Sequence, residues 1–322
     1  MKTRSALRPI HPPGRQRGVA VITALLLTTL AITIVASLFW QQQVQVRSIE
    51  NQRLQLQKQW ILRGALDWAG LILREDAKHS NFDNLDEPWA VPLAETRLDQ
   101  YVENGRAGDE VADATLSGGI SDAQARYNLS NLCQNGTVVP AEVAVFARLL
   151  GYAKLDPALA QATADLMAMT QKKPETAAAN SGNPPGPQPM VLAQADDLLA
   201  VPDFTPQMLA TLKDLVIFLP RATPVNVNTA PAEVLAARID GLTFSDAVAL
   251  VEKRNTASFR DLADFTRRLS ELSPSASAGN VSVASNYFLV NGKVRMSRAG
   301  LEMQALIERN GTNTKLLRIR EY

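Results

Sequence analysis

Cysteine and histidine are almost missing from this sequence, which has one cysteine and two histidines in 322 residues. Cys133 by itself excludes an intramolecular disulfide. With only His11 and His79 beside it, the parts for zinc sites, Cys–His nucleophile pairs and Ser–His–Asp triads are lacking. Glycine-rich loops of the phosphate- or dinucleotide-binding kind are missing as well. We therefore predict a protein that is not an enzyme, and a hydrolase is the weakest alternative.

Acidic residues are missing from the first 40 positions, whereas basic ones are present. The leader Met1–Gly18 carries five of them, Lys2, Arg4, Arg8, Arg15 and Arg17. The next 22 residues, 19–40, hold no charged side chain. At 1.5 Å per residue, a helix of that length spans about 33 Å, enough to cross a hydrocarbon core of about 30 Å. We predict a single transmembrane helix at 19–40, with its basic flank in the cytoplasm and the remainder translocated.

A glycine between the leader and the apolar helix distinguishes this segment from an ordinary signal. A cleaved secretory signal has an apolar core of about 7–15 residues followed by a small-residue site, whereas here Gly18 precedes a longer run. An uncleaved signal anchor is the simple alternative. The order of basic leader, glycine and apolar helix resembles the class III leader of type IV pilins and pseudopilins. That resemblance implies cleavage after Gly18 by a prepilin peptidase and methylation of the new N-terminus, Val19.

The chain departs from that family at Thr23. The fifth mature residue is usually a glutamate that pairs with the N-terminal amine of a neighbouring subunit, and numbered from Val19 that position is Thr23. A subunit with nothing ahead of it would leave the carboxylate unpaired in hydrocarbon, at a cost of roughly 2.5–3.5 kcal/mol. A threonine hydroxyl can instead bond to a carbonyl of its own helix. This favours the first position in an assembly; the alternative is that threonine is merely tolerated.

The rest of the chain is typical of a globular protein, with 46% hydrophobic and 20% charged residues. Beyond Trp40, apolar residues recur at three- and four-residue steps on one face of a predicted helix, broken once between Ile49 and Leu56. Those apolar positions are Val46, Ile49, Leu56, Trp60, Ile61, Ala65, Trp68 and Ile72. We predict that the membrane helix continues into a domain outside the membrane.

Loops and strands are predicted between residues 81 and 132. Ser117-Gly118-Gly119 is typical of a turn between strand-like runs at 111–116 and 120–129. Within the second run apolar and polar residues alternate, as they do in a half-buried strand, with Ala125, Tyr127 and Leu129 on the apolar side.

Helical signals follow from about 140 to 272. The segment PAEVAVFARLLGY begins with Pro140, and Thr205-Pro206 has the N-cap and first-turn signature of a helix start. Residues 170–190 carry five prolines and two glycines, which predict an exposed loop without regular structure.

Strand patterns return at the C-terminus. Alternation over 299–308 predicts a strand, Asn310-Gly311 a turn, and 316–322 another strand, with 285–296 pairing on the other edge. The order of helix, strands, helices and strands predicts an α+β fold. A membrane-spanning helix continues into a helix-plus-antiparallel-sheet domain that is interrupted by a large all-helical insertion.

Longer segments resemble the protein K family, the large minor pseudopilins of the type II secretion system. They are RGVAVITALL, DNLDEPWA, ISDAQARYNLSNL, TPVNVNTAPAEVLAARIDGL and SNYFLVNGKVRMSRAGLEMQALIERN, which together sample nearly the whole chain. The resemblance implies a pilin fold carrying a helical domain. The predicted domains are the leader 1–18, the transmembrane helix 19–40, the pilin-like parts 41–135 and 276–322, and the insertion 136–275, which includes a helix-hairpin-helix-like unit.

The same resemblance implies a structural role in secretion. The expected protein is a minor pseudopilin at the tip of the periplasmic pseudopilus that supports the export of folded proteins across the outer membrane. Its expected partners are the minor pseudopilins of the I and J types, the pseudopilus and the inner-membrane secretion platform. The expected location is the bacterial inner membrane, spanned once, with most of the chain in the periplasm. The insertion is expected to prevent further subunits from stacking above.

Calcium is a weaker expectation. The family often has an acidic segment after the second insertion helix, but here that place holds a single aspartate before Lys172-Lys173. The acidic residues Asp83, Asp86, Glu87 and Asp122 could supply oxygen ligands instead. Turn and capping roles are the alternative for these residues.

A membrane-anchored DNA-uptake receptor is the rival interpretation, because residues 225–254 resemble a helix-hairpin-helix. DNA-binding hairpins have a second glycine where this chain has Thr243, and Asp240 and Asp246 flank the turn. Residues 224–270 contain six basic and six acidic side chains. Without the five leader cations, 28 basic residues face 32 acidic ones, a net charge of −4. We therefore predict no nucleic-acid binding.

Overall fold

The computed structural model describes residues 17–98, 114–171, 190–296 and 299–322. The chain divides into two compact units between Gln57 and Lys58. The helices are α1 (Arg17–His79), α2 (Pro140–Tyr152), α3 (Leu159–Gln171), α4 (Pro206–Leu212), α5 (Ala232–Arg238), α6 (Phe244–Thr256) and α7 (Leu262–Leu272). The strands are β1 (Leu93–Arg97), β2 (Ala114–Asp122), β3 (Tyr127–Asn128), β4 (Cys133–Gln134), β5 (Thr137–Val138), β6 (Val216–Ile217), β7 (Val225–Asn226), β8 (Val281–Ser282), β9 (Tyr287–Met296), β10 (Ala299–Asn310) and β11 (Asn313–Glu321).

The first unit contains the N-terminal part of α1, which confirms the predicted long helix. In the described part of the chain, α1 is the helix that is long and apolar enough to cross a membrane. Its threonines satisfy their hydroxyls within the helix. The hydroxyl of Thr23 donates to the carbonyls of Val19 and Ala20, both at 3.0 Å. A polar side chain therefore lies in the apolar segment without an unpaired group.

The second unit is built on a five-stranded sheet in the order β1-β2-β9-β10-β11, and every pair is antiparallel. The predicted C-terminal strands are confirmed. Gly311 has a φ of +56° in the tight turn that joins β10 to β11, a conformation that glycine adopts without strain. The α+β class follows from this sheet together with helices α1–α7.

The predicted turn at 117–119 is wrong, because β2 runs straight through it. Gly118 is paired with Gly292 of β9, and a Cβ atom at Gly118 would collide with the carbonyl oxygen of Asn291. The glycine allows two strands to approach each other closely. In a sequence, a glycine required for this reason looks the same as a glycine required by a turn.

The predicted strand 120–129 is also wrong beyond Asp122, except at the two residues of β3, Tyr127–Asn128. The Asp122 side chain accepts the N–H of Gln124 at 2.7 Å, and the Asn128 side chain accepts the N–H of Ser130 at 3.0 Å. These local bonds begin short 3₁₀ turns at Ala123–Ala125 and Leu129–Leu132. Side-chain capping therefore overrides the alternating pattern.

The two faces of the sheet carry different layers. Successive residues of β9 point to opposite faces. On one face Gly292 lies against Leu62 of α1, and a Cβ at Gly292 would meet that side chain at 3.0 Å. The buried apolar side chains of α1 in this unit are Leu62, Leu66, Ala69 and Leu73. On the other face, Leu289 and Leu306 pack with residues of the chain that leaves the sheet, Ala123, Ile217 and Leu219.

Helices α2–α7 lie where helices were predicted between β2 and β9, but the described residues of this part also form the two-residue strands β3–β8. Helix α2 begins at Pro140, and α4 begins at Pro206 with the Thr205 hydroxyl accepting the Met208 N–H at 3.4 Å. One hydrophobic cluster joins α2, α3 and α5–α7. Most of the predicted 170–190 loop, residues 172–189, lies outside the described residues, and the predicted domain boundaries stay predictions.

Candidate functional site

The predicted calcium ligands do not form one constellation. Asp83 and Glu87 lie together with Asp76 of α1, whose position the sequence analysis missed, and one oxygen of each lies within 4.8 Å of the others. Asp86 stays exposed outside this cluster. Asp122 is buried in a separate hydrogen-bond network. Two of the four expected ligands are therefore adjacent, and the third carboxylate is a different residue.

Arg309 of β10 neutralises part of this cluster. Its Nη1 lies 2.8 Å from the Asp76 carboxylate, and its Nη2 donates to Asp83 and, at 3.1 Å, to the Ser285 carbonyl. The guanidinium also lies over the Phe288 ring, 4.6 Å from its centre. We call Asp76, Asp83, Glu87 and Arg309 the carboxylate junction, because it joins the end of α1 to the loop after it and to the sheet.

The third carboxylate of the junction is held by its own segment. Glu87 Oε2 accepts the indole N–H of Trp89 at 2.7 Å and the Asn84 N–H at 3.1 Å. Trp89 is buried and makes an edge contact with Phe288, with ring centres 5.2 Å apart. The DNLDEPWA motif therefore forms a compact turn in which Asp83, Glu87 and Trp89 face the domain, whereas Asp86 stays exposed.

The surroundings of Asp76 change its pKa. Burial, together with the neighbouring charges of Glu87 and Asp83, raises the pKa of Asp76 to about 6, despite the opposing hydrogen bond from Arg309. The junction therefore takes up a proton more readily than an exposed aspartate does.

Asp122 connects the sheet to the helical part of the chain. Its carboxylate accepts hydrogen bonds from Asn226 at 2.9 Å and from Thr229 and Ser285 at 2.6 Å each. Desolvation raises the pKa of this fully buried group against those bonds. Nearby, the Asn131 side chain pairs in both directions with the Thr223 backbone, at 2.9 and 3.0 Å. The two most specific sequence motifs, ISDAQARYNLSNL and PVNVNTA, thus bind each other.

The hairpin unit uses its polar groups internally. Thr243 caps α6 by accepting the Asp246 N–H at 3.1 Å, and Asp240 pairs with Arg148 at 2.6 Å. Gly241 has a φ of +76° in the tight turn. The buried Arg254 donates to the carbonyls of Val227 and Ala230 rather than facing outward. These contacts favour a packing role for the hairpin over phosphate binding.

An apolar surface lies beside α1 in the second unit. Trp60 and Trp68 are 71% and 51% exposed, and Leu71 on the same helix is exposed as well. Next to them a groove of about 360 Å³ opens between α1 and the β1–β2 edge of the sheet. Its lining includes Trp68, Ile72, Trp89, Val91, Leu116 and Met303. Exposed aromatic residues beside an apolar groove are typical of a protein–protein contact.

Comparisons with known proteins agree on one family. Models described as type II secretion system protein K match residues 125–221 and 225–287. The chain is 30% identical over 311 residues to the type II secretion system protein K of Pseudomonas aeruginosa, covering 87% of this chain and 85% of that protein. It also superposes on a chain of the crystal structure of the GspK-GspI-GspJ complex from the enterotoxigenic Escherichia coli type 2 secretion system. That match has a TM-score of 0.63 and 21% identity, and it covers 85% of this chain and 98% of the other.

An apolar helix, a pilin-type helix on an antiparallel sheet, and a helical excursion between two of its strands define a pseudopilin, a structural component of a secretion machine. The chain belongs to the protein K family of the type II secretion system. Its minor-pseudopilin character, predicted from the sequence, is confirmed, and the comparisons do not support the DNA-uptake alternative.

Proposed function

We propose that this chain occupies the tip of the periplasmic pseudopilus and supports the export of folded proteins across the outer membrane, together with the I- and J-type minor pseudopilins. The observation that carries the proposal is the apolar surface formed by Trp60, Trp68, Leu71 and the adjoining groove. A protein that carries large exposed aromatic side chains on a pilin-type helix is suited to pack against helices of the same kind. The crystallised complex of three such pseudopilins supports this choice of partners.

The tip position is supported by Thr23 and by the helical insertion. Thr23 has no charge to offer a neighbour's amine, and its hydroxyl is satisfied by its own helix. The insertion adds bulk on the face of the sheet that does not contact α1. We propose that this bulk prevents a further subunit from stacking above the chain. The chain acts by assembly rather than catalysis and binds no nucleic acid.

The N-terminal segment anchors the chain once in the inner membrane, with the bulk in the periplasm. A prepilin peptidase removes the leader after Gly18, and Val19 becomes the methylated N-terminus. Gly18 supports this proposal because nothing in the described structure lies within 4 Å of a Cβ atom added there. The packing of the described residues does not require a glycine at this position, whereas the proposed recognition by a prepilin peptidase does.

Co-purification tests the partner assignment. Full-length protein is co-expressed with the I- and J-type subunits, extracted in detergent and isolated through a tag. Replacing both Trp60 and Trp68 by alanine should reduce recovery of the partners at least tenfold, because exposed aromatic anchors dominate such contacts. Leu262→Ala, an exposed residue of α7, is the matched control and should change nothing. Unchanged recovery with the double variant would refute the proposed surface.

A further inference from the structure

The carboxylate junction has the composition of a divalent-cation site. Calcium is bound by six to eight oxygens, and carboxylates are its preferred charged ligands. Asp76, Asp83 and Glu87 bring an oxygen each to within 4.8 Å of one another. Asp83 is 1% exposed, so its charge needs a nearby positive partner. The sequence led us to consider calcium at Asp83, Asp86, Glu87 and Asp122, and two of these four residues belong to the junction.

Two of the three carboxylates that a metal would need are already engaged by Arg309. One arm of the guanidinium binds the Asp76 carboxylate at 2.8 Å, and the other binds Asp83 and the Ser285 carbonyl. Arg309 is itself 7% exposed, and the Phe288 ring lies against the face of the guanidinium. The side chain is therefore held from the sides and from one face. A calcium ion on the same oxygens would meet a fixed positive charge, and the junction does not fit a metal.

We propose that the junction is a cation site whose resident cation is Arg309. The guanidinium supplies charge and directed N–H donors at the point where α1, the 83–89 turn and the sheet meet. Because this cation is covalently part of β10, the junction forms at any calcium concentration. Removing the guanidinium leaves three buried carboxylates with the donor set for a divalent ion, and calcium can then take its place.

Terbium luminescence reports on this site directly. Tb³⁺ replaces Ca²⁺ on oxygen ligands, and it emits strongly only when a nearby indole transfers energy to it. The Trp89 indole donates to Glu87 at 2.7 Å, so it adjoins any ion bound there. Full-length wild type, Arg309→Ala and Arg309→Gln are compared in detergent, with melting followed in parallel by circular dichroism. Arg295→Ala, which removes an exposed arginine of β9, is the matched control.

The expected result separates the variants. Wild type and Arg295→Ala give no emission that depends on Trp89, and calcium leaves this part of the signal unchanged. Arg309→Ala and Arg309→Gln melt at lower temperature, bind Tb³⁺ with saturation and lose the emission when Trp89→Phe is added. Calcium competes with Tb³⁺ and recovers at least half of the melting temperature that each variant lost.

Two results overturn the proposal. Trp89-dependent emission from the wild type would mean that the carboxylates bind a metal with Arg309 present. Failure of calcium to restore both Arg309 variants, whether they are folded or unfolded, would mean that the guanidinium is not acting as a replaceable cation. Neither result bears on the tip assignment, because the junction and the Trp60–Trp68 surface are tested by different measurements.

Discussion

At the scale of single residues, burial changes the chemistry of ordinary side chains. Nothing in the sequence distinguishes Asp76 from the other charged residues near it in the same helix. In the structure it faces Glu87, Asp83 and Arg309, and its pKa rises to about 6. In the unfolded chain the pKa of Asp76 is near 3.8. Between pH 3.8 and pH 6, the folded protein therefore binds a proton at Asp76 that the unfolded chain does not. The contribution of this proton to the free energy of unfolding is complete below about pH 4 and is lost as the pH rises through 6.

Replacing Asp76 by asparagine should remove this dependence. The asparagine oxygen can still accept a hydrogen bond from Arg309 but carries no charge. We expect Asp76→Asn to gain stability relative to the wild type between pH 5 and pH 7.5, by on the order of 1–3 kcal/mol. Urea unfolding at both pH values measures it, with exposed Asp67→Asn on the same helix as the control. A constant difference between variant and wild type at the two pH values would contradict the assignment.

Thr23 is the second residue whose identity matters more than its size. A glutamate there has no amine partner if the chain occupies the first position of the pseudopilus. Thr23→Glu should therefore leave secretion unchanged or reduce it, whereas Thr23→Ser keeps the hydroxyl bond and should secrete normally. Secretion of an exported enzyme and immunolabelling of pseudopili measure both effects. Better secretion, with the glutamate variant found along the whole length of pseudopili, would show that the tip assignment is wrong.

At the scale of elements, two adjacent glycines in β2 differ in the space that the sheet leaves for a side chain. A side chain at Gly118 runs into the Asn291 carbonyl of β9, whereas one at Gly119 meets Pro92 at an ordinary 3.6 Å. The close contact involves backbone, which cannot rotate away. Two residues that look alike in the sequence therefore differ in what the sheet tolerates.

This contrast gives a paired prediction. Gly118→Ala should lower the free energy of unfolding by about 1–3 kcal/mol, because the strands must move apart. Gly119→Ala should change it by less than about 0.5 kcal/mol. Urea unfolding of the detergent-solubilised protein, followed by tryptophan fluorescence, compares them. Equal effects of the two substitutions would mean that the β2–β9 approach is not what requires glycine.

At the scale of the whole molecule, the helical excursion is fixed to the sheet by hydrogen bonds as well as by apolar packing. Asn226 and Thr229 bind Asp122 at the end of β2. Arg320 of the edge strand β11 binds Gln194 and Asp196. These contacts lie far apart on the sheet. The excursion is thus held at two separate places, which suits a part whose proposed task is to block stacking.

The leader prediction belongs to this scale, because it determines which molecule assembles. Mass spectrometry of the membrane-extracted protein should find Val19 as the first residue, carrying a methyl group. Gly18→Val should leave the leader attached, whereas Gly64→Ala, at an exposed helical glycine with no neighbour within 4 Å, should be processed normally. Recovery of intact Met1 from the wild type would support an ordinary signal anchor instead.

The sequence by itself determined the class of this protein. A charge-free run of 22 residues, a helical repeat beyond it and period-two strands at the C-terminus are local patterns, each set by the geometry of one element. They predicted the long helix, β9–β11 and the α+β order. The family motifs were recognisable because periodicity alone does not require their asparagines and threonines.

Only the tertiary structure decided which residues meet. Asp76 and Arg309 are more than 200 positions apart, and the bond between them depends on how α1 lies against β10. The same holds for Gly118, whose role is visible only with β9 beside it. Sequence patterns report which face of an element is buried, but the partner of a buried charge or a close backbone approach is fixed by packing across the chain. That is why the carboxylate junction was half predicted, with its acids partly found and its cation missed.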